Sequence, residues 1–338
     1  MGAPAGGRSV SLLAAFEESL SRHACVGRDW LVAVSGGPDS MALLRTALAA
    51  AARHGAEVTC GHIDHQLRRE SGADATWVAE QCAALGIRSR IERVTVASDG
   101  GAIEETARRV RYEALNRMAL ECRASAILTG HTADDNAETI LHHVFRGTGL
   151  RGLVGIPPLR SLGESLWLWR PLLKVRRSEV VAELDQLGQT YRTDSSNSSS
   201  QFTRNRVRHE LIPWLERELN PRAVDAVLRL SDQSEEVIDW LHAAAVELLD
   251  RSLVQPLTPA IRLRCEPIRS APALVARECF VQLWNRQSWP RQAMTREHWQ
   301  RLVDQCGPAA APAVQMPGGI DVRRRGDLLI VTAPENAE

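Results

Sequence analysis

Ser35, Gly36, Gly37, Pro38, Asp39 and Ser40 follow directly on the apolar run Trp30-Leu31-Val32-Ala33-Val34. The pattern predicts a buried strand, a glycine turn, and a helix opened by Pro38 and continued by Met41-Ala42-Leu43-Leu44. Two glycines let successive backbone N–H groups point into one concavity, and the helix N-terminus adds the positive end of its dipole. The serine hydroxyls can donate to the same anion, and proline costs no hydrogen bond in a first helical turn. Such a loop holds phosphate. It is not a Walker A loop, because no Gly-Lys-Ser/Thr follows it. Asp39 is the nearest carboxylate for Mg²⁺, an ion that takes only one or two protein carboxylates. An acid there equally suits a helix N-terminus as a cap, and the sequence leaves both roles open.

A second group of residues suits an amine. Asp134, Asp135 and Glu138 follow His131 and open a predicted helix, which places Asp134 and Glu138 on one face. Acids also favour helix N-termini through the dipole alone, but three of them after a histidine at a strand end point to recognition of a cation and uptake of its proton. A third group is cationic. Arg204, Arg206 and Arg208 alternate beside a polar run, with Arg204 and Arg208 at helical spacing, and neutralising phosphates is the task they fit. Arg111 is instead a candidate to reach the ATP or a developing charge. His62, Asp64 and His65 end another strand; no third ligand with zinc-like spacing follows, so they read as walls of a nucleotide pocket.

These groups need a frame that brings them to one edge. After the first strand and its helix, strands are expected over 58–64, 89–96 and 126–129, and helices over 73–85, 103–122 and 134–145. That alternation predicts an α/β fold: a doubly wound parallel sheet covered on both faces, with ligands beyond the carboxyl ends of the strands. From Arg146 the pattern changes to a glycine-rich basic loop, and residues 193–200 form a polar run too long for a tight turn. Beyond Asn220-Pro221 the period is helical, ending in a hairpin around Arg325-Gly326-Asp327. The expected division is a first domain over 1–218, with 1–10 a frayed tail, and a mainly helical second domain over 219–338.

Composition agrees with a two-domain cytoplasmic protein. The chain has 338 residues, 44% of them hydrophobic, and no run that approaches the roughly 20 apolar residues of a membrane span. Seven scattered cysteines without a Cys-x-x-Cys read as reduced thiols. Formal net charge is zero, yet residues 146–210 carry eleven Arg/Lys against six Asp/Glu. Lys174 is the only lysine, so the arginine-rich composition reflects a coding bias more than selection for contact with RNA.

Ser-Gly-Gly-x-Asp-Ser after a strand resembles the PP-loop of ATP pyrophosphatases, which split ATP between the α and β phosphates. Adding the segments 62–68, 104–115, 130–139 and 202–210 and the run Arg170-Pro171-Leu172-Leu173, in this order, the chain from about 28 to 219 resembles the tRNA(Ile)-lysidine synthetase family in its short form. The resemblance implies ATP and Mg²⁺ as cofactors, the second with Asp39, and as substrates free L-lysine and an isoleucine tRNA with a CAU anticodon. In that reaction ATP adenylates the 2-carbonyl oxygen of the wobble cytidine, and the side-chain amine of lysine then displaces AMP. It assigns ATP binding to Ser35, Gly36, Gly37, Pro38, Asp39, Ser40, His62, Asp64 and His65. The chemistry falls to Asp39, Arg111, His131, Asp134, Asp135 and Glu138, and tRNA contact to Arg68, Arg146, Arg204, Asn205, Arg206 and Arg208. Asn136 departs from the glutamine that the family more often has there. A 2-thiocytidine synthase would need a cysteine pair or an iron–sulfur site, and a non-catalytic RNA-binding relative would need neither the loop nor the acids. Oligomeric state, monomer or homodimer, stays open.

Overall fold

The computed structural model describes residues 11–64, 66, 71–95, 103–192, 203–257, 260–308 and 313–334. Along the chain come α1 (Leu12–Arg22), β1 (Asp29–Ala33), α2 (Pro38–His54), β2 (Glu57–Asp64), α3 (Ser71–Ala84), β3 (Arg88–Arg93), α4 (Ile103–Glu121), β4 (Ala126–Leu128) and α5 (Ala133–Phe145). There follow α6 (Leu150–Leu153), β5 (Leu159–Ser161), β6 (Trp167–Trp169), α7 (Arg177–Gln186), α8 (Thr203–Arg206) and α9 (Ile212–Glu218). The remaining elements are α10 (Ala223–Ser252), β7 (Leu253–Leu257), β8 (Ala260–Arg264), α11 (Cys265–Ser270), α12 (Ala273–Arg286), α13 (Arg296–Gln305), β9 (Ala313–Met316), β10 (Ile320–Arg325) and β11 (Leu328–Thr332).

The first sheet has the order β3-β2-β1-β4-β6-β5, and all its neighbours run parallel except the edge strand β5, which is antiparallel to β6. Period-two alternation in β1 divides the core. Trp30 and Val32 face one way, into a cluster with Met41, Leu44 and Phe16, while Leu31 faces the other, against Leu115, Ile127 and Leu168. Phe16, Trp30 and Trp169 interlock with ring centroids 4.7–5.9 Å apart, tying α1 to the middle of the sheet. The expected doubly wound sheet is therefore present. Strands β5 and β6 add to it; the apolar run Leu166-Trp167-Leu168-Trp169 was the signal for β6.

The chain forms two compact units, Met1–Ser231 and Asp232–Glu338. The division falls later than residue 218, because the start of α10 belongs to the first unit: Val224, Val227 and Leu228 pack with Ala137, Val207 and Ile212. The second unit is not only helical. Its expected hairpin, β10–β11, lies within a five-stranded antiparallel sheet of order β7-β8-β11-β10-β9, and Trp284 anchors its core between Trp289 and Trp299. The frayed tail expected over 1–10 and the polar run 193–200 lie outside the described residues. No helix among the described residues is long and apolar enough to cross a membrane.

Candidate active site

The loop after β1 is shaped by its glycines. Gly36 adopts φ +92°, a region that L side chains avoid, and its carbonyl accepts from the Arg192 amide at 2.9 Å. Gly37 caps α2, and Pro38 occupies its first turn. Orphan amides of that turn, Asp39 and Ser40, have no helical acceptor of their own. Ser40 acts as an internal brace: its hydroxyl donates to the Gly37 carbonyl at 2.9 Å and accepts from the Ser35 amide at 3.2 Å. Ser35 remains exposed at the mouth, its Oγ 3.2 Å from that of Ser40.

The loop after β4 comes against this one because residue 130 has no side chain. A Cβ on Gly130 would stand 2.7 Å from the Asp39 carbonyl oxygen. Thr132 then caps α5 in a reciprocal capping box with Asp135: the Thr132 amide and hydroxyl both donate to Asp135 Oδ2 at 2.9 Å. His131 lies between, its Nδ1 3.0 Å from Thr129 Oγ1.

Three arginines distribute the acids. Arg177 places its guanidinium between Asp39, at 2.8 Å, and Asp135, at 3.2 Å. Arg208 bridges Asp135, at 2.6 Å, and Glu138, at 2.5 Å. Arg176 takes Asp134 at 3.2 Å and Asp225 at 3.0 Å. Burial pushes the Asp39 carboxyl above its usual range even with Arg177 against it. Burial acts on Asp135 in the same direction but is outweighed by Arg177, the Thr132 amide, Arg208 and His131, so that its carboxyl is held below the usual range. Two neighbouring carboxyls with opposed shifts are the pattern of groups with different tasks.

The PP-loop domain model matches residues 11–215. The chain is 31% identical to the tRNA(Ile)-lysidine synthase of Nostoc sp. over 324 residues, covering 92% of this chain and 93% of that one. It is 35% identical to the enzyme of the same name from Salinispora arenicola, covering 90% of each.

The chain belongs to the tRNA(Ile)-lysidine synthase family.

As a PP-loop member of that family it binds ATP. The tRNA(Ile)-lysidine synthase of Deinococcus radiodurans is 39% identical over 242 residues, 71% of this chain but 40% of that longer protein. Among solved structures, a U34-tRNA thiolase from Methanococcus maripaludis superposes with TM-score 0.54 at 16% identity, over 68% of this chain and 78% of the other. That likeness is one of fold alone.

Within the family frame, the structure brings Asp39, Asp135 and Glu138 together and rearranges three expectations. The acids that share a guanidinium are Asp135 and Glu138, both on Arg208. Asp134 has other partners: it accepts the Arg177 backbone amide at 2.7 Å, capping α7, and pairs with Arg176. Arg208 points inward onto the buried acids instead of outward with Arg206, which makes an exposed ion pair with Glu210. A π-helical turn at Val207–Leu211 precedes Pro213; proline cannot bond the carbonyl four residues back, and the wider turn relieves the clash. His62 is buried, with Nδ1 2.7 Å from the Val34 carbonyl oxygen, and so holds the end of β1. Asp64, also buried, accepts from the Gln66 amide at 3.0 Å.

Asn136 proves suited to its place: Oδ1 accepts the Ile156 amide at 2.8 Å, and a Cβ on Gly155 would stand 2.2 Å from that atom. Arg111 stacks on Tyr112, 5.3 Å from the ring centroid. Arg146 is exposed at the C-terminus of α5, and Asn205 is half-buried in α8. His65, Arg68 and the side chain of Arg204 lie outside the described residues. Sequence reading missed Arg176 and Arg177. Their only signal was a pair of arginines opening a helix after Arg170-Pro171-Leu172-Leu173.

Proposed function

We propose that the protein is a cytoplasmic ATP-dependent ligase that joins free lysine to C2 of the wobble cytidine in an isoleucine tRNA with a CAU anticodon. The observation that carries this reading is the acid cluster Asp39–Asp135–Glu138 against the PP-loop, each acid already matched with a guanidinium. The cytidine O2 attacks the α-phosphorus of ATP, and pyrophosphate leaves. The lysine Nζ then attacks C2, the C2–O2 bond breaks, and AMP departs with the oxygen.

The loop over 35–40 and the α2 N-terminus hold the phosphates, so the leaving pyrophosphate meets backbone donors and a positive dipole end. Lysine arrives as an ammonium, since its side-chain pKa is about 10.4. Asp135 and Glu138 already hold one cation, the Arg208 guanidinium, which marks where a second amine is recognised. The proton that the amine must lose is taken by a carboxylate of this cluster. Asp39 and Asp135 also fit Mg²⁺, as two carboxylates beside a phosphate loop are the donor number it uses when phosphates and waters complete its shell. The ion would neutralise charge on the triphosphate.

RNA contact is assigned to Arg68, Arg146, Arg204, Asn205 and Arg206. Incubation with ATP, labelled lysine and candidate tRNAs tests the reading. Label should appear only on the CAU-anticodon isoleucine tRNA, with AMP released in equal amount.

A further inference from the structure

Four arginines converge on one tyrosine on the α4 side of the sheet. Tyr112 packs against the Leu31, Ile127 and Leu168 cluster. The guanidinium carbons of Arg108, Arg111 and Arg160 stand 5.7, 5.3 and 5.9 Å from its ring centroid. Arg170, 3% exposed, comes up beside its hydroxyl. One edge of that guanidinium is fixed, Nη1 donating to the Pro157 carbonyl at 2.6 Å. The other faces the Tyr112 hydroxyl: Arg170 Nε and that hydroxyl are both buried and have no partner besides each other.

Like charges at this spacing repel unless a counter-charge joins them. Arg176, Arg177 and Arg208 each hold carboxylates, whereas no carboxylate among the described residues pairs with Arg108, Arg111, Arg160 or Arg170. The field is felt locally. The Tyr112 hydroxyl is held below its ordinary range, the burial that would raise it being outweighed by Arg111, Arg170 and Arg108. Burial also lowers Arg170, with Arg160 and Arg108 adding to the effect against Tyr112. Guanidinium forks match phosphate oxygens two at a time, and a cationic surface over an aromatic ring suits a nucleic-acid strand. Arg108 and Arg160 are exposed, so the site opens outward from the buried Arg170.

We propose that Arg108, Arg160 and Arg170, together with Arg111, form an anion site that takes a backbone phosphate of the RNA substrate. The site lies across the sheet from the face against which α2, the helix of the phosphate loop, packs. The inference rests on the proposed reaction for its RNA, but it can fail or stand separately.

The test uses the full-length protein, an anticodon stem-loop RNA with the CAU sequence, and the double variant Arg108→Ala with Arg160→Ala. RNA affinity is followed by anisotropy across a salt series, and ATP affinity by calorimetry. The site predicts RNA binding at least about tenfold weaker and a salt slope shallower by about 1.4, roughly 0.7 for each lost contact, with ATP affinity within twofold. The paired lysine replacements should recover most of the slope. Unchanged RNA affinity and slope in a variant that melts like the parent would overturn the proposal. So would a loss of ATP affinity with RNA binding intact, since the phosphate held would then be the nucleotide's. Should the double variant not fold, Arg160→Ala alone must lower the slope by about 0.7; an unchanged slope there overturns the site. A parent protein that binds RNA through these arginines yet transfers no lysine would contradict the reaction and leave the site standing.

Discussion

The Arg177 guanidinium joins Asp39, in the first turn after the phosphate loop, to Asp135, in the first turn of α5, at 2.8 and 3.2 Å. The two acids belong to helices, α2 and α5, that follow different strands, β1 and β4, which are neighbours in the sheet. One side chain from a third element thus fixes the separation of the two groups on which activation and amine capture depend.

Replacing Arg177 by alanine should therefore lower AMP formation about 100-fold or more, since small displacements of reacting groups cost that much. Lysine at this position keeps the charge but not the fork, and should recover only part of the rate. Steady-state AMP release with circular dichroism as a folding control checks this. An Arg177→Ala enzyme as fast as the parent would show that the two acids need no such spacer.

Glu138→Gln keeps the size of a side chain that is 1% exposed and removes its charge. A hydrogen bond to a charged group contributes about 1.5–3 kcal/mol, so the KM for lysine should rise roughly 10- to 100-fold with that for ATP little changed. A KM for ATP that rises as much as that for lysine would move Glu138 to the nucleotide.

Gly130 is needed for contact between loops, not for its backbone angle. In Gly130→Ala the new methyl meets the Asp39 and Ser40 backbone at 2.7–3.1 Å, where no flexible side chain can give way. Overpacking of this kind costs about 1–3 kcal/mol. Chemical denaturation should show that loss, and ATP affinity should fall with it. Parental stability would mean that the loops separate freely.

Acid stability follows from Asp64. Burial raises its carboxyl, but the Gln66 amide, the Ser71 hydroxyl and Arg93 more than compensate, and it is held below the usual range. A folded value below the unfolded one, about 3.9, means that its contribution is complete above that pH and fades as pH falls through the folded value. Asp64→Asn should thus be less stable than the parent at pH 7, with the gap closing below about pH 4. Urea melts across that range measure it, and a gap that widens toward acid would reverse the sign.

Much of the frame was legible in the sequence because β1 and β4 are buried on both faces and read as apolar runs, and because Gly36-Gly37-Pro38 marks a glycine turn that opens a helix. Asp135 and Glu138 were legible as acids opening a helix. Their division of labour with Asp134 was not, since it depends on the α7 N-terminus, which is distant in sequence and reaches Asp134 only in the fold. The inward pairing of Arg208 with Asp135 and Glu138 was not legible either, since it joins residues about 70 positions apart. Arg177 carries no motif of its own, and only the meeting of three elements gives it a task.

The most direct test of the central claim is transfer of labelled lysine to purified tRNA by the full-length protein, with ATP, Mg²⁺ and lysine omitted in turn. The account predicts label on the CAU-anticodon isoleucine tRNA alone, dependent on every component and lost in Asp39→Ala. Folded, ATP-binding protein that places no label on that tRNA, or that labels tRNAs regardless of anticodon, would contradict it.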